Sequence, residues 1–173
     1  TQKPKITKYT RKPYTRVKYY LDFSRFIWKE YNEDILGLFE KRAIDISYWL
    51  GKGINVFYNG EKIACKDLKS YIQIYDNFKE TKFEIIKLSD RWEFAVGSSK
   101  DDILQSISFV NSINTFRGGK HVDCIVDIIS KKIVEYLKKK KKLDIKPAIA
   151  KNQMLIFLRS VIVDPEFTSQ TKE

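Results

Sequence analysis

Between Gly118 and Lys142 the chain reads GGKHVDCIVDIISKKIVEYLKKKKK. Val122, Ile125, Val126, Ile129, Ile133 and Leu137 recur there at steps of three and four, the spacing of one buried helical face. Asp123, Asp127, Lys131, Glu135 and Lys138 fall on the opposite side. Gly118 and Gly119 supply the backbone freedom for a turn into this helix. Its far end is five consecutive lysines, Lys138 to Lys142, where cations suit the negative end of the helix dipole. The pattern predicts an amphipathic helix with an apolar strand on each side in sequence and a charge cluster at its tip.

Other stretches change period. Thr15, Val17, Tyr19 and Leu21 alternate with Arg16, Lys18 and Tyr20, predicting a half-buried strand. Asn32, with Glu33 and Asp34 after it, is an N-cap signal for a helix through Leu50 that Gly51 and Gly53 end. Ile54 to Tyr58 reads as a short strand turned by Asn59-Gly60. Asp67 caps a shorter helix through Leu68, Tyr71, Ile72 and Tyr75. Phe83 to Leu88 and Trp92 to Val96 form a hairpin around Ser89-Asp90-Arg91, with Trp92, Phe94 and Val96 on one face. Ile103 to Val110 is a further strand. Met154 to Val163 is apolar on both faces apart from Arg159 and Ser160, as a central strand should be, and Pro165 is expected to stop it. The order predicts an α+β fold (a two-layer α/β arrangement) of mixed β-sheets covered by helices.

With 173 residues, 43% of them hydrophobic, the chain can bury a core. Lys and Arg number 33 against 22 acids, a net +11 that favours a polyanionic partner, nucleic acid first. Residues 1–13 hold five bases, no acid and two prolines, and read as an extended basic arm. Two cysteines and one histidine cannot make a four-ligand zinc site, so no metal site is expected. Cysteine usage favours a reducing, intracellular setting, and no apolar run reaches membrane-spanning length. A chain that opens on Thr1, with Met154 as its only methionine, reads as part of a longer polypeptide.

Three stretches together resemble the ATPase region of the eukaryotic-type type IIA DNA topoisomerases. They are Tyr14-Thr15 with Phe23 and Asp34-Ile35; Ser108-Phe109-Val110-Asn111-Ser112-Ile113 through Gly118-Gly119-Lys120-His121-Val122-Asp123; and Asp164-Pro165 through Ser169-Gln170-Thr171-Lys172-Glu173. The resemblance implies that residues 1–65 are the basic arm and the C-terminal portion of a GHKL-type ATPase domain. Residues 66–173 would be a transducer domain, with a left-handed βαβ crossover where the general rule would predict a right-handed one. It further implies ATP and Mg²⁺ as cofactors, double-stranded DNA and the remainder of the enzyme chain as partners, a homodimer, and the nucleus as location. Gln170, Thr171 and Lys172 resemble the loop that reaches the ATP γ-phosphate, with Lys172 in a catalytic role. Lys138, Lys139 and Lys140 align with lysines that contact DNA. The family's acidic general base with its Asn, its Asp-x-Gly-x-Gly segment and its Gly-rich lid do not occur here, so the chain alone is expected to hydrolyse nothing.

Plainer readings apply elsewhere. His121 is expected to hold a turn and not to bind an anion, and Gly51-Lys52-Gly53 lacks the spacing of a P-loop. Asp101-Asp102 is expected in a loop, and Trp92, Tyr71 and Tyr75 in the core. The alternative from another class is a stand-alone basic double-stranded nucleic-acid-binding module without enzymatic activity.

Overall fold

The computed structural model describes residues 3–27 and 29–169 and divides into two compact units, Thr1–Gly37 and Leu38–Glu173. In the first, residues 3–22 form neither helix nor strand. The strand expected over 15–21 is absent, and Val17 and Tyr20 are more than four-fifths exposed. Alternation specifies a strand only where a second strand accepts its ladder bonds, and no described residue does so. Cations instead lie over rings, Arg16 5.4 Å from the Tyr14 centroid and Lys18 5.3 Å from that of Tyr20. Helix α1 (Glu33–Leu50) begins as expected, the Asn32 side-chain oxygen accepting from the Ile35 amide at 2.9 Å.

In the second unit α1 ends at Gly51, whose φ of +64° is the left-handed conformation that glycine reaches without strain. The strand expected from Ile54 contracts to β1 (Phe57–Tyr58), paired with β2 (Glu61–Lys62). Asn59 and Gly60 both have positive φ, the requirement of a tight hairpin turn of this hand. Helix α2 (Leu68–Ile72) opens on a reciprocal cap: Asp67 accepts from the Ser70 amide at 2.8 Å, and Ser70 Oγ accepts from the Asp67 amide at 3.2 Å. It stops at Ile72, leaving Tyr75 in the turn that follows.

A five-stranded mixed sheet is ordered β3-β4-β7-β5-β6. β3 (Phe83–Lys87) and β4 (Trp92–Ser98) form the expected hairpin, and β4 runs antiparallel to β7 (Met154–Ser160). β5 (Gln105–Val110) lies parallel to β7 on its other side, and the short β6 (Ile113–Asn114), unforeseen in the sequence, folds back on β5. β7 is therefore central. Its side chains alternate between two cores, Leu155 and Phe157 on one face and Met154, Ile156 and Leu158 on the other.

Helices cover the sheet on both faces, one layer more than expected. On the first face, Tyr48 of α1 and Leu68, Tyr71 and Ile72 of α2 pack over Ala95, Phe109 and Phe157. On the second, Val122, Ile125 and Val126 of α3 (Lys120–Tyr136) meet Phe94 and Ile156. Trp92, Phe94 and Val96 do share that face, and Tyr71 and Tyr75 are core residues as expected. α4 (Pro147–Asn152), not anticipated, begins on a proline at its first position, a helix-start signal that the sequence does carry. The β5–α3–α4–β7 connection joins parallel neighbours, a βαβ unit.

Candidate functional site

Three features surround the end of β7 and the two ends of α3. The first is how the chain leaves the sheet. Ser160 Oγ donates to the Phe109 carbonyl at 2.9 Å, and the Asn111 amide donates to the Ser160 carbonyl at 3.1 Å. One residue on, the Val161 amide donates to the Arg91 carbonyl at 2.8 Å. The Asn111 side chain then brackets Ile162: its Nδ2 donates to the Ile162 carbonyl at 2.8 Å and its Oδ1 accepts from the Ile162 amide at 2.9 Å. The β7 ladder thus ends at Ser160, ahead of Pro165, because a side chain takes over the pairing.

Asn111 and Ser112 are consecutive left-handed residues, with φ of 48° and 70°, in the turn between β5 and β6. Arg42 Nη1, from α1, donates to the Ser112 carbonyl at 2.9 Å. Beyond Ile162 the chain bends at Asp164, also at positive φ, and residues 164–168 line an open cleft of about 720 Å³. Its opposite wall is Arg117, Gly118, Gly119, Lys120 and His121. The expected ATP-contacting residues Gln170, Thr171 and Lys172 follow directly and lie outside the described residues.

At the start of α3, Gly118 and Gly119 have φ of 75° and 137°, so the turn there needs glycine. His121 Nε2 is 3.0 Å from Thr115 Oγ1. Thr115 Oγ1 in turn lies 3.1 Å from the Ser108 carbonyl and 2.6 Å from its hydroxyl, with both residues buried. Burial holds the imidazole pKa below its ordinary value, with the Asp123 carboxylate opposing. A neutral ring bonded to a buried threonine belongs to the turn, as expected for His121.

The third feature is the basic tip. After Tyr136 the α-helix continues as a π-helical turn, Leu137–Lys141, and Lys142 closes it at φ 55°. The Leu143 amide donates to the Leu137 carbonyl at 3.2 Å, satisfying one of the last helical acceptors. Leu137 faces an apolar groove with Ile129, Ile133, Ile145 and Ile149. Lys138, Lys139 and Lys140 are all exposed. Lys138 Nζ lies 3.6 Å from Asp144 with both side chains exposed, a pair of little energetic weight. Lys139 and Lys140 make no ion pair among the described residues, so the tip presents concentrated positive charge.

The remaining candidates are placed simply. Gly51–Gly53 is a single 3₁₀ turn, and Asp101 and Asp102 lie in a loop where they accept from Gln105 and Gln153. Among the described residues no group of three His, Cys, Asp or Glu side chains could hold a metal. No described helix is long and apolar enough to cross a membrane.

Residues 56–173 match the family model for DNA gyrase B. Over 98% of its length the chain is 42% identical to DNA topoisomerase 2 of Saccharomyces cerevisiae, of which it covers 13%. The crystal structure of the ATPase region of Saccharomyces cerevisiae topoisomerase II superposes with a TM-score of 0.78, over 88% of this chain and 38% of that one, at 42% identity. The ATPase and transducer domains of topoisomerase II from Balamuthia mandrillaris superpose with a TM-score of 0.73 at 38% identity, over 81% and 35%. The chain spans about an eighth of the length of the yeast enzyme. A helix-covered mixed sheet, a matched family model and relatives that share two residues in five lead to one assignment: this chain belongs to the DNA gyrase B family of type IIA topoisomerases, on its eukaryotic topoisomerase 2 side.

Proposed function

We propose that the chain is part of the ATPase region of an ATP-dependent type IIA DNA topoisomerase. Residues 1–65 serve as the arm and C-terminal portion of the GHKL-type ATPase domain, and residues 66–173 as the transducer. The observation that carries this reading is the fixed departure of the chain from β7. Residues 160–162 are tied by hydrogen bonds to Phe109, Asn111 and Arg91, a few residues ahead of Gln170 and Lys172.

In this reading Lys172 brings a compact positive charge to the γ-phosphate and Gln170 a directed amide donor, with Thr171 between them. Bound ATP supplies the phosphoryl group whose charge those donors stabilise. Contact with the γ-phosphate favours one orientation of the transducer, and losing it shifts the balance between orientations. The central β7 and the α3 that packs on it carry that shift to Lys138, Lys139 and Lys140, which neutralise phosphates of double-stranded DNA. A lysine run reads charge and no base code, so the contact is non-specific in sequence. We assign Mg²⁺ to the remainder of the enzyme; among the described residues no group of three or more His, Cys, Asp or Glu side chains is placed to hold a metal. A nuclear homodimer completes the proposal.

The alternative of a stand-alone nucleic-acid-binding module has no support, because the matched relatives are DNA topoisomerase 2 and, among solved structures, the ATPase region of topoisomerase II. The deciding experiment is Lys172→Ala in the full-length protein. ATP turnover should fall by about two orders of magnitude, and an unchanged steady-state rate would remove Lys172 from the mechanism.

A further inference from the structure

We infer that Asn111 is a positioning residue for the nucleotide-sensing arm, an inference that rests on the role proposed for Lys172. The side chain of Asn111 acts as a one-residue strand: it offers Ile162 both the acceptor and the donor that a neighbouring backbone would, at 2.9 and 2.8 Å. Its own amide holds the Ser160 carbonyl at 3.1 Å, so three bonds from one residue fix the last ladder position and the first residues beyond it.

Asn is the side chain suited to this place. It carries a donor and an acceptor on one planar group, and it tolerates the left-handed backbone that Asn111 adopts at φ 48°. Aspartate would keep the bond to the Ile162 amide but set a second oxygen against the Ile162 carbonyl. The turn that carries Asn111 is held from the other side by Arg42, whose guanidinium donates to the Ser112 carbonyl. The path from α1 to the arm is therefore Arg42, Ser112, Asn111, Ile162, with a hydrogen bond at each end and a peptide bond between. Small displacements of a catalytic donor cost rate steeply, and misplacement by about 1 Å can cost a hundredfold. Tying Ile162 fixes the direction in which the chain sets out from β7, ahead of the segment whose sequence carries Gln170 and Lys172.

The clean variant is Asn111→Gly, which keeps the left-handed backbone at no steric cost and deletes only the side-chain bonds. It should be made in the full-length protein beside Asn111→Asp and Lys172→Ala, with thermal unfolding as the check on folding. Hydrogen exchange should speed up at the Ile162 amide in Asn111→Gly and less so in Asn111→Asp. Single-turnover ATP hydrolysis should slow roughly tenfold, while the affinity for a non-hydrolysable ATP analogue changes by less than about threefold. Unchanged exchange at Ile162 overturns the inference whatever the kinetics. A normal rate in Asn111→Gly beside an impaired Lys172→Ala overturns it too, leaving the role of Lys172 intact. Normal rates in both variants sink the reading of Lys172 and the inference with it.

Discussion

Phe83 lies across Gly97 in the β3–β4 pair so closely that a methyl group at position 97 would sit 2.7 Å from the ring. Thr81 closes the same space, its methyl 2.9 Å from that position. The ring is held there by an edge contact with Phe157 of the central strand, at 5.5 Å between centroids. Glycine thus leaves room for the aromatic side chain to pass close over the backbone at position 97.

Gly97→Ala should therefore destabilise the protein by about 1–3 kcal/mol through overpacking. Denaturant unfolding would read this as a lower midpoint at unchanged slope. A midpoint equal to the parent's would mean that the Phe83 ring moves aside without cost.

Two stacked tyrosines should respond to the same substitution with opposite signs. Tyr48 and Tyr71 stack at 4.6 Å, both almost fully buried. Tyr71 Oη is 2.7 Å from the buried Asp45 carboxylate and 3.0 Å from the Tyr75 hydroxyl, whereas Tyr48 Oη has no hydrogen-bond partner among the described residues. Burial pushes both phenol pKa values far above the ordinary range. Tyr71→Phe should cost about 1–3 kcal/mol because it leaves Asp45 short of a donor. Tyr48→Phe should be neutral or stabilising by up to about 1 kcal/mol, since it deletes a desolvated, unpaired hydroxyl. Equal losses in the two variants would contradict this assignment.

The only histidine, His121, makes a pH dependence that can be isolated. Its folded pKa is depressed by burial, so as pH falls the unfolded chain takes up its proton before the folded chain does. Stability from this source is complete above the unfolded value of about 6.5 and declines as pH falls through it. His121→Gln should lose less stability than the parent between pH 7.5 and 5.5. Direct NMR titration of the ring should give a midpoint below 6.5, and a midpoint above it would reverse the argument.

For the basic tip, replacing Lys138, Lys139 and Lys140 by alanine in the full-length protein should weaken DNA-stimulated ATP hydrolysis more than basal hydrolysis. The log–log dependence of DNA affinity on salt should become shallower by roughly 2 to 3, about 0.9 for each phosphate contact removed. Equal loss of both activities, or an unaltered salt slope, would place the DNA contact elsewhere.

The sequence by itself determined whatever rests on local chemistry and periodicity. The Asn32 and Asp67 caps, the Asn59-Gly60 turn, the amphipathic face of α3 and the two-faced apolar run of β7 are each readable within a few residues, because the hydrogen bond or buried stripe involved is local. The family too was legible, in SFVNSI, GGKHVD and SQTKE, and the matched family model agrees. Tertiary structure decided what depends on a distant partner. Residues 15–21 have the alternation of a strand and, among the described residues, no strand to pair with, while Ile113 and Asn114 have no strand pattern and pair because β5 lies beside them. The sequence pattern carries β7 to Val163, ahead of Pro165, and the strand ends at Ser160, since the group that replaces its ladder partner at Ile162 comes from Asn111, 51 residues away. Long-range pairing leaves no local period in a chain, so such contacts become visible only once the fold has brought both ends together.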